Sequence, residues 1–291
     1  MTEPGDKTLS GWLRTAWSCE PEVRGVEVEG AVVRYRAWPA DPALPVMLFA
    51  HGFAAHAGWW DHIAPWFRDR YRPLAIDFTG MGDSDRRPLY SRRQYAREIL
   101  GVLHAERAAG CVIVSHSFGT QSSLLAGKLE PALFERIVIV DAHVFRPEGE
   151  NREPMGGRSY PTLEEAARRY RLVPPGEFPE PEIHAYLARS SLRQGDDGWS
   201  WKFDPNIHRH INGEGIPAEL VGLNLPVDLI NAEFSETVDA GSIAAYRRNL
   251  RNFGEPVTVP LSHHHIMVEQ PVALVAALRG VLSRPPAAAA K

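Results

Sequence analysis

Four short, uninterrupted apolar segments constrain the fold of this chain more than any other feature of its sequence. Segments of this kind are typical of parallel β-strands that are covered on both faces of a sheet. They lie at residues 46–50, 73–78, 111–114 and 136–140, and helical patterns lie between them at residues 60–70, 91–108 and 118–130. Ahead of them, alternating apolar and polar residues over 26–38 predict an antiparallel hairpin at the sheet edge. Strands alternating with helices predict an α/β fold with a doubly wound, mostly parallel sheet.

The regular alternation stops after Asp141, and a different kind of segment begins. Residues 143–216 are rich in Pro, Gly, Arg and aromatic residues, with helical patterns at 162–170 and 182–192. An unstructured loop of that length is unusual inside a compact domain. We therefore predict a helical lid at 143–216, inserted between two parts of a core at 1–142 and 217–291. The second part has strand patterns at 227–231 and 257–259, helical patterns at 238–253 and from Met267 onward, and loose tails are expected at 1–7 and 285–291.

Composition narrows the classes of partner and compartment. The 291 residues carry a formal net charge of −4, which gives no electrostatic reason to expect nucleic acid or an anionic membrane as a partner. No apolar run approaches the roughly 18 residues that a membrane-spanning helix needs. The N-terminus lacks the pattern of a secretory signal, and two cysteines are too few for a disulfide framework. We expect a cytoplasmic protein.

The sequence Ser115-His116-Ser117-Phe118-Gly119 follows one of the apolar strands and precedes a good helical pattern. A serine on a sharp turn between a strand and a helix is the nucleophile elbow, usually written Gly-x-Ser-x-Gly. Here Ser115 replaces the first glycine and Gly119 keeps the second. This turn exposes the serine hydroxyl and directs the Phe118 amide toward a developing oxyanion.

Two further motifs follow strands and carry polar groups toward the same sheet edge. His51-Gly52-Phe53 follows the strand at 46–50, where the glycine permits a tight turn and the Phe53 amide can serve as a second oxyanion donor. The segment from Ser262 to Pro271 follows the last strand, from which a histidine can reach back over the sheet edge. Its three consecutive histidines are His263, His264 and His265.

Together these motifs resemble those of the α/β-hydrolase superfamily, in particular the lidded group that includes haloalkane dehalogenases, epoxide hydrolases and esterases. The resemblance covers residues 26–282 in the expected motif order. It implies Ser117 as the nucleophile. Dehalogenases and epoxide hydrolases of this fold have an aspartate at the elbow, so a serine implies acyl transfer through an acyl-enzyme. The resemblance implies no cofactor.

The catalytic histidine in such proteins commonly stands seven residues before a proline. Counting back from Pro271 selects His264, and His263 and His265 remain alternatives. A surface histidine cluster that binds metal adventitiously is the competing interpretation. No Cys or carboxylate spacing supports a designed metal site, so we predict none.

The acid of the triad is where the sequence departs from the commonest pattern. That pattern places an Asp in the loop after the strand that ends near Asn231, and this position holds Ser235. Some lidded relatives carry their acid one strand earlier, where this chain has Asp141. One helix and one strand separate it from Ser117, which places both at the same sheet edge. Asp141 is the predicted acid, and its role would be to orient His264 and stabilise its cation. Glu233 or Glu236 in the later loop, or a Ser–His dyad without an acid, remain alternatives.

The aromatic residues of the inserted segment suggest the substrate class. We predict an apolar pocket lined by Trp60, Trp199, Trp201 and Phe203, although each ring could instead attach the lid to the core. Basic pairs such as Arg86-Arg87 and Arg92-Arg93 are expected on a solvated surface. The predicted function is hydrolysis of an ester-type bond in a small hydrophobic substrate. Alternatives are a carbon–carbon bond hydrolase or cofactor-free perhydrolase with the same triad, and a hydrophobic-ligand-binding protein with little turnover.

Overall fold

The computed structural model describes residues 9–145, 157–176, 178–207, 211 and 218–285. The predicted tails fall outside these residues, apart from Pro285. The strands are β1 Glu22–Val28, β2 Ala31–Ala37, β3 Val46–Ala50, β4 Arg72–Ile76, β5 Cys111–His116, β6 Phe134–Val140, β7 Leu192–Gly195, β8 Gly198–Trp201, β9 Leu223–Ala232, β10 Leu250–Phe253 and β11 Val257–Val259. The α-helices are α1 Gly11–Trp17, α2 Arg92–Ala105, α3 Gly119–Leu129, α4 Leu163–Ala167, α5 Pro181–Ser190, α6 Ala240–Asn249, α7 Ile266–Glu269 and α8 Pro271–Ser283.

Nine of these strands form one sheet in the order β1-β2-β4-β3-β5-β6-β9-β10, with β11 paired to β9. The pairs β1–β2 and β2–β4 are antiparallel. The remaining pairs are parallel, as the uninterrupted apolar segments predict. The predicted α/β class with a doubly wound and mostly parallel sheet is therefore confirmed.

Apolar side chains cover both faces of the sheet, which explains why its central strands show no alternation. In β3 all five residues are buried. Leu48 faces one hydrophobic cluster with Ile113 and Ile137, while Phe49 faces the other with Trp60 and Phe67. Removing apolar surface from water on both faces is the main contribution to the stability of such a sheet.

Two helical predictions in the core were wrong. Instead of a helix over residues 60–70, the chain forms short 3-10 turns at Ala57–Trp60 and Ala64–Phe67. Pro65 lacks the N–H that a continuing helix needs. The helix predicted over 238–253 ends at Asn249. Residues 250–253 form β10 instead, which pairs with the first half of β9.

A buried arginine ties the sheet to the last helix. Arg136 in β6 donates through Nη1 to the Val281 carbonyl at 2.6 Å and through Nη2 to the Arg284 carbonyl at 2.8 Å. These carbonyls lie at the C-terminal end of α8, where helix carbonyls lack partners of their own. Asp228 in β9 forms an ion pair with the same guanidinium, with Oδ2 lying 3.5 Å from Arg136 Nη1.

The inserted segment contains more than helices. Its described part includes α4, α5 and an antiparallel pair, β7–β8, which the sequence patterns do not predict. Polar contacts hold it to the core: the Tyr186 hydroxyl donates to Asp61, His56 Nε2 lies 3.1 Å from Ser191 Oγ, and the Tyr90 hydroxyl donates to Asp204 at 2.8 Å. In the described parts of the chain, no helix is long and apolar enough to cross a membrane.

Candidate active site

Ser117 lies on the turn between β5 and α3. Its backbone has φ of 48°, in the left-handed region that non-glycine residues seldom adopt. The turn is packed tightly against the loop that follows β3. A Cβ on Gly119 would lie 2.8 Å from the His51 carbonyl oxygen, and one on Gly52 would lie 2.7 Å from His116 Nδ1. Glycine at position 119 allows the turn to approach the backbone after β3, and glycine at position 52 leaves room for the His116 ring.

Ser117 and His264 are in direct contact, although 147 residues separate them in the chain. His264 precedes the short helix α7, and its Nε2 lies 2.9 Å from Ser117 Oγ. Of the three consecutive histidines, this is the one that the structure brings to the serine. His263 is half exposed and contacts Glu269 and Phe234. His265 is buried against Trp59 and His264.

Asp141 completes a continuous chain of polar contacts. Its Oδ2 lies 2.8 Å from His264 Nδ1, and its Oδ1 accepts a hydrogen bond from the Ala232 amide at 2.9 Å. The carboxylate is fully buried at the end of β6. Asp141 has φ of 42°, so it shares the left-handed conformation of Ser117 on the neighbouring strand.

The two alternative acids lie elsewhere on the loop after β9. Glu233 is exposed, and its Oε2 accepts a hydrogen bond from the Leu261 amide at 2.8 Å. Glu236 is also exposed. Neither has a described contact with His264. Ser235, at the position where the commonest pattern has an Asp, instead donates to Asp141 Oδ2 at 2.9 Å.

Phe53 and Phe118, the predicted oxyanion donors, lie beside each other next to the serine. Phe118 immediately precedes α3, so its N–H is among those that the helix leaves without an internal acceptor. Their rings are 5.5 Å apart, edge to face. The Phe118 ring also contacts Tyr95 and lies 5.2 Å below the Arg92 guanidinium.

Arg92 and Arg87 correct the prediction that the basic pairs are solvated. Arg92 is only 2% exposed and packs on the Phe118 ring. Arg87 forms an ion pair with the buried Glu98 and donates to the carbonyls of the β1–β2 turn. A charge run in a sequence does not show which members pack beneath a loop, and these two arginines were missed for that reason.

The residues predicted for a substrate pocket have different surroundings. Trp60 is fully buried against Phe49, 5.0 Å away, in the core beneath the sheet, so its ring has no free face for a substrate. Trp199 and Trp201 lie on β8, where Trp199 pairs with Tyr160 and Trp201 packs against Tyr160 and Tyr170. Phe203 pairs with Met81 of the core.

His116 is a neighbour of the site that the motif analysis did not single out. Its ring lies 4.7 Å from that of His264, and its Nε2 lies 3.0 Å from the His264 carbonyl oxygen. Burial lowers the pKa of His116 well below its ordinary value, and burial lowers the pKa of His265 to about 3. Both rings are therefore neutral near pH 7. In the described residues, no group of three or more His, Cys, Asp or Glu side chains is arranged to hold a metal ion.

Buried neutral histidines make stability depend on pH. Burial lowers the pKa of His51 and His62 to about 4 and that of His265 to about 3, and it lowers the pKa of His56 and His116 well below the ordinary value. The unfolded chain takes up protons on these five groups as the pH falls through about 6.5, whereas the folded protein does not. Their contribution to stability is therefore complete above pH 6.5 and is lost progressively toward pH 4.

Four buried carboxyl groups act in the opposite direction. Burial raises the pKa of Asp61 to about 6 and raises those of Asp77, Glu98 and Asp228. They are fewer than the histidines, and Asp61, with its pKa of about 6, begins to titrate at lower pH than the unfolded histidines. We expect the melting temperature to fall steadily from pH 7 to pH 5 at constant ionic strength, as measured by differential scanning fluorimetry. A constant or rising melting temperature over that range would contradict this expectation.

The chain is similar to several known proteins in sequence and in fold. Residues 47–278 match the alpha/beta hydrolase family. The chain is 26% identical over 232 residues to 2-(acetamidomethylene)succinate hydrolase of Mesorhizobium japonicum, a match that covers 76% of this chain and 82% of that protein. It is 30% identical over 120 residues to the uncharacterized hydrolase YugF of Bacillus subtilis, covering 40% of this chain and 44% of that protein.

A solved structure, that of E-2-(acetamidomethylene)succinate hydrolase, superposes with a TM-score of 0.75 at 21% identity. The superposition covers 91% of this chain and 100% of that chain. At this level of identity the likeness extends to the fold.

Proposed function

Because this chain belongs to the alpha/beta hydrolase family, we propose that it is a serine hydrolase acting on an ester-type bond of a small hydrophobic substrate. The observation that carries the proposal is the unbroken contact from Ser117 Oγ to His264 Nε2 and from His264 Nδ1 to Asp141 Oδ2. Serine, histidine and a buried carboxylate in this order are the components of acyl-transfer catalysis.

The first half of the reaction forms an acyl-enzyme. Ser117 Oγ attacks the substrate carbonyl carbon while His264 Nε2 accepts the hydroxyl proton. The resulting tetrahedral intermediate collapses, the bond to the leaving group breaks, and His264 delivers its proton to that group. Asp141 keeps the Nδ1 proton of His264 in place, so that Nε2 has the lone pair that Ser117 needs.

In the second half, water takes the place of the serine hydroxyl. His264 removes a proton from the water, the hydroxide attacks the acyl carbon, and the proton then returns to Ser117 Oγ as the acid is released. The backbone amides of Phe53 and Phe118 are the proposed donors to the oxyanion in both halves. The N-terminus of α3 adds a partial positive charge at the same place. Side chains, backbone and water supply every group in these steps.

An apolar substrate is supported by the surroundings of the serine. The rings of Phe53 and Phe118 contact each other beside it, and both are only partly buried. Aromatic walls favour an acyl or aryl group over a charged one. Trp199, Trp201 and Phe203 of the inserted segment remain candidates for the outer part of this pocket, which would make that segment a lid. The relative from Mesorhizobium japonicum, by its name, acts on 2-(acetamidomethylene)succinate, so amides also belong in a substrate panel.

An alkyl fluorophosphonate followed by intact-protein mass measurement tests the proposal. We expect one adduct on the wild type and none on Ser117→Ala, because the reagent reacts with a serine only when a neighbouring base activates it. Ser122→Ala removes a buried hydroxyl from α3, the helix that follows Ser117, and should leave the adduct unchanged.

The outcome also separates the alternatives. Labelling of Ser117 with much faster turnover of ring-cleavage diketones than of simple esters would favour carbon–carbon bond hydrolysis. Absence of an adduct on the wild type would contradict a serine hydrolase, and saturable binding of hydrophobic compounds would then favour a ligand-binding role.

A further inference from the structure

Ser235 occupies the loop after β9, and we propose that it is a positioning residue that holds the Asp141 carboxylate against His264. The inference rests on the proposed function, since it concerns the same three residues. The position in which the commonest family pattern has an acid thus retains a role here, as a hydrogen-bond donor to the acid that lies one strand earlier.

The hydroxyl of Ser235 has its direction fixed by the backbone. Its oxygen accepts hydrogen bonds from the amides of Thr237 at 3.1 Å and Val238 at 2.8 Å. A hydroxyl has two acceptor lone pairs and one proton. With both lone pairs occupied, the proton points to the remaining neighbour, Asp141 Oδ2 at 2.9 Å. This geometry makes Ser235 a donor to the carboxylate.

The last residue of β9 and the loop after it supply two of the three described hydrogen bonds to the Asp141 carboxylate. The Ala232 amide binds Oδ1, while Ser235 and His264 share Oδ2. The carboxylate is fully buried, and a buried charge needs several donors to remain ionised at low cost. Without Ser235, His264 would be the sole described donor to Oδ2, and the orientation of the carboxylate would depend on the Ala232 amide and His264 alone.

The surroundings leave the charge of Asp141 to these donors. Among the described residues, the titratable groups that face His264 and Asp141 include His116, His265 and Tyr246. Burial keeps both histidines uncharged, and the Tyr246 hydroxyl donates to the Ala142 carbonyl at 2.8 Å. Thr237 Oγ1, an uncharged group, lies 3.3 Å from His264 Nδ1. Removing the Ser235 proton donor would therefore leave more negative charge facing His264 and favour the imidazolium form.

The experiment is the pH profile of kcat/KM for a p-nitrophenyl ester of a short acyl chain. Ser235→Ala should lower kcat about 10-fold, the usual effect of losing a hydrogen bond to a charged group. It should also move the acid limb of the profile to higher pH, because His264 then keeps its proton longer. Ser235→Thr retains the hydroxyl and should restore both the rate and the position of the limb.

Ser242 provides a matched control. Its hydroxyl donates to Asp239 Oδ1 at 2.9 Å, a contact of the same kind at the start of α6. Ser242→Ala should leave the pH profile at its wild-type position. If Ser235→Ala fails to fold, Ser235→Cys keeps the side-chain volume with a weak donor and should show the same upward shift.

An acid limb that stays in place in Ser235→Ala and Ser235→Cys, or a Ser235→Thr protein as impaired as Ser235→Ala, would overturn the inference. Fluorophosphonate labelling of the wild type is measured first. If Ser117 is labelled and the limb does not move, only the role of Ser235 fails. If Ser117 is not labelled, the proposed function itself fails.

Discussion

Asp141→Asn is expected to lower kcat by about 10³- to 10⁴-fold while leaving the fold intact. The Ala232 donor to Oδ1 is a backbone amide and cannot turn away, whereas the Ser235 side chain at Oδ2 can, so the carbonyl oxygen of the new side chain would stay beside Ala232. The amide nitrogen would then replace Oδ2 and face His264 Nδ1. Because this nitrogen is a donor, it would favour the His264 tautomer in which Nδ1 accepts a hydrogen bond and Nε2 carries the proton. His264 could then no longer accept the proton of Ser117.

The measurement is the steady-state rate on an activated ester, accompanied by the rate of fluorophosphonate labelling. Glu233→Gln and Glu236→Gln are the matched controls, because these two residues are the alternative acids on the loop after β9. Both variants should keep rates near the wild type. Normal labelling of Asp141→Asn together with a large loss in either glutamate variant would transfer the role of the acid to that glutamate.

Arg136→Ala is expected to lower the free energy of unfolding by about 3–5 kcal/mol, as removal of one partner of a buried ion pair commonly does. The substitution would leave the largely buried Asp228 carboxylate without its cation. It would also deprive the Val281 and Arg284 carbonyls of their donor at the end of α8. Chemical denaturation in urea, monitored by circular dichroism, measures the change.

An exposed ion pair is the control for this effect. Arg247 Nη2 lies 2.8 Å from Glu255 Oε2, and both side chains are more than half exposed. Water and salt screen such a pair, so Arg247→Ala should cost less than about 1 kcal/mol. Equal losses in the two variants would show that the burial of Arg136 adds nothing to its contribution.

The sequence predicted those elements of the fold in which a single physical pattern dominates. The strands β3 to β6 are buried on both faces, so their uninterrupted apolar residues are visible without the structure. The strand β10 was missed because it follows α6 without a turn and its four residues, Leu-Arg-Asn-Phe, also suit a helix. The β7–β8 pair was missed because its strands are short and half exposed, and its stability depends on the packing of Trp201 against other rings of the inserted segment.

Some residues of the candidate site could likewise be predicted from sequence motifs, whereas others depend on geometry that only the structure shows. The elbow around Ser117 and the spacing before Pro271 point to residues that the structure brings together, because a turn of fixed shape needs particular residue types. The hydrogen bond from Ser235 to Asp141 depends on which way a hydroxyl points, and no spacing in the chain records that direction. Trp60 was assigned to the pocket because aromatic composition does not distinguish a ring under the sheet from one above it.

The left-handed backbone conformations of Ser117 and Asp141 bring a requirement of the proposed activity into conflict with thermal stability. Each residue holds a conformation that costs a non-glycine side chain on the order of 1 kcal/mol, at the ends of adjacent strands. Replacement of Ser117 by glycine would relieve that cost and remove the group that the proposed chemistry requires. Selection of variants by thermal stability alone would therefore favour inactive proteins. A screen for more stable variants must measure activity as well.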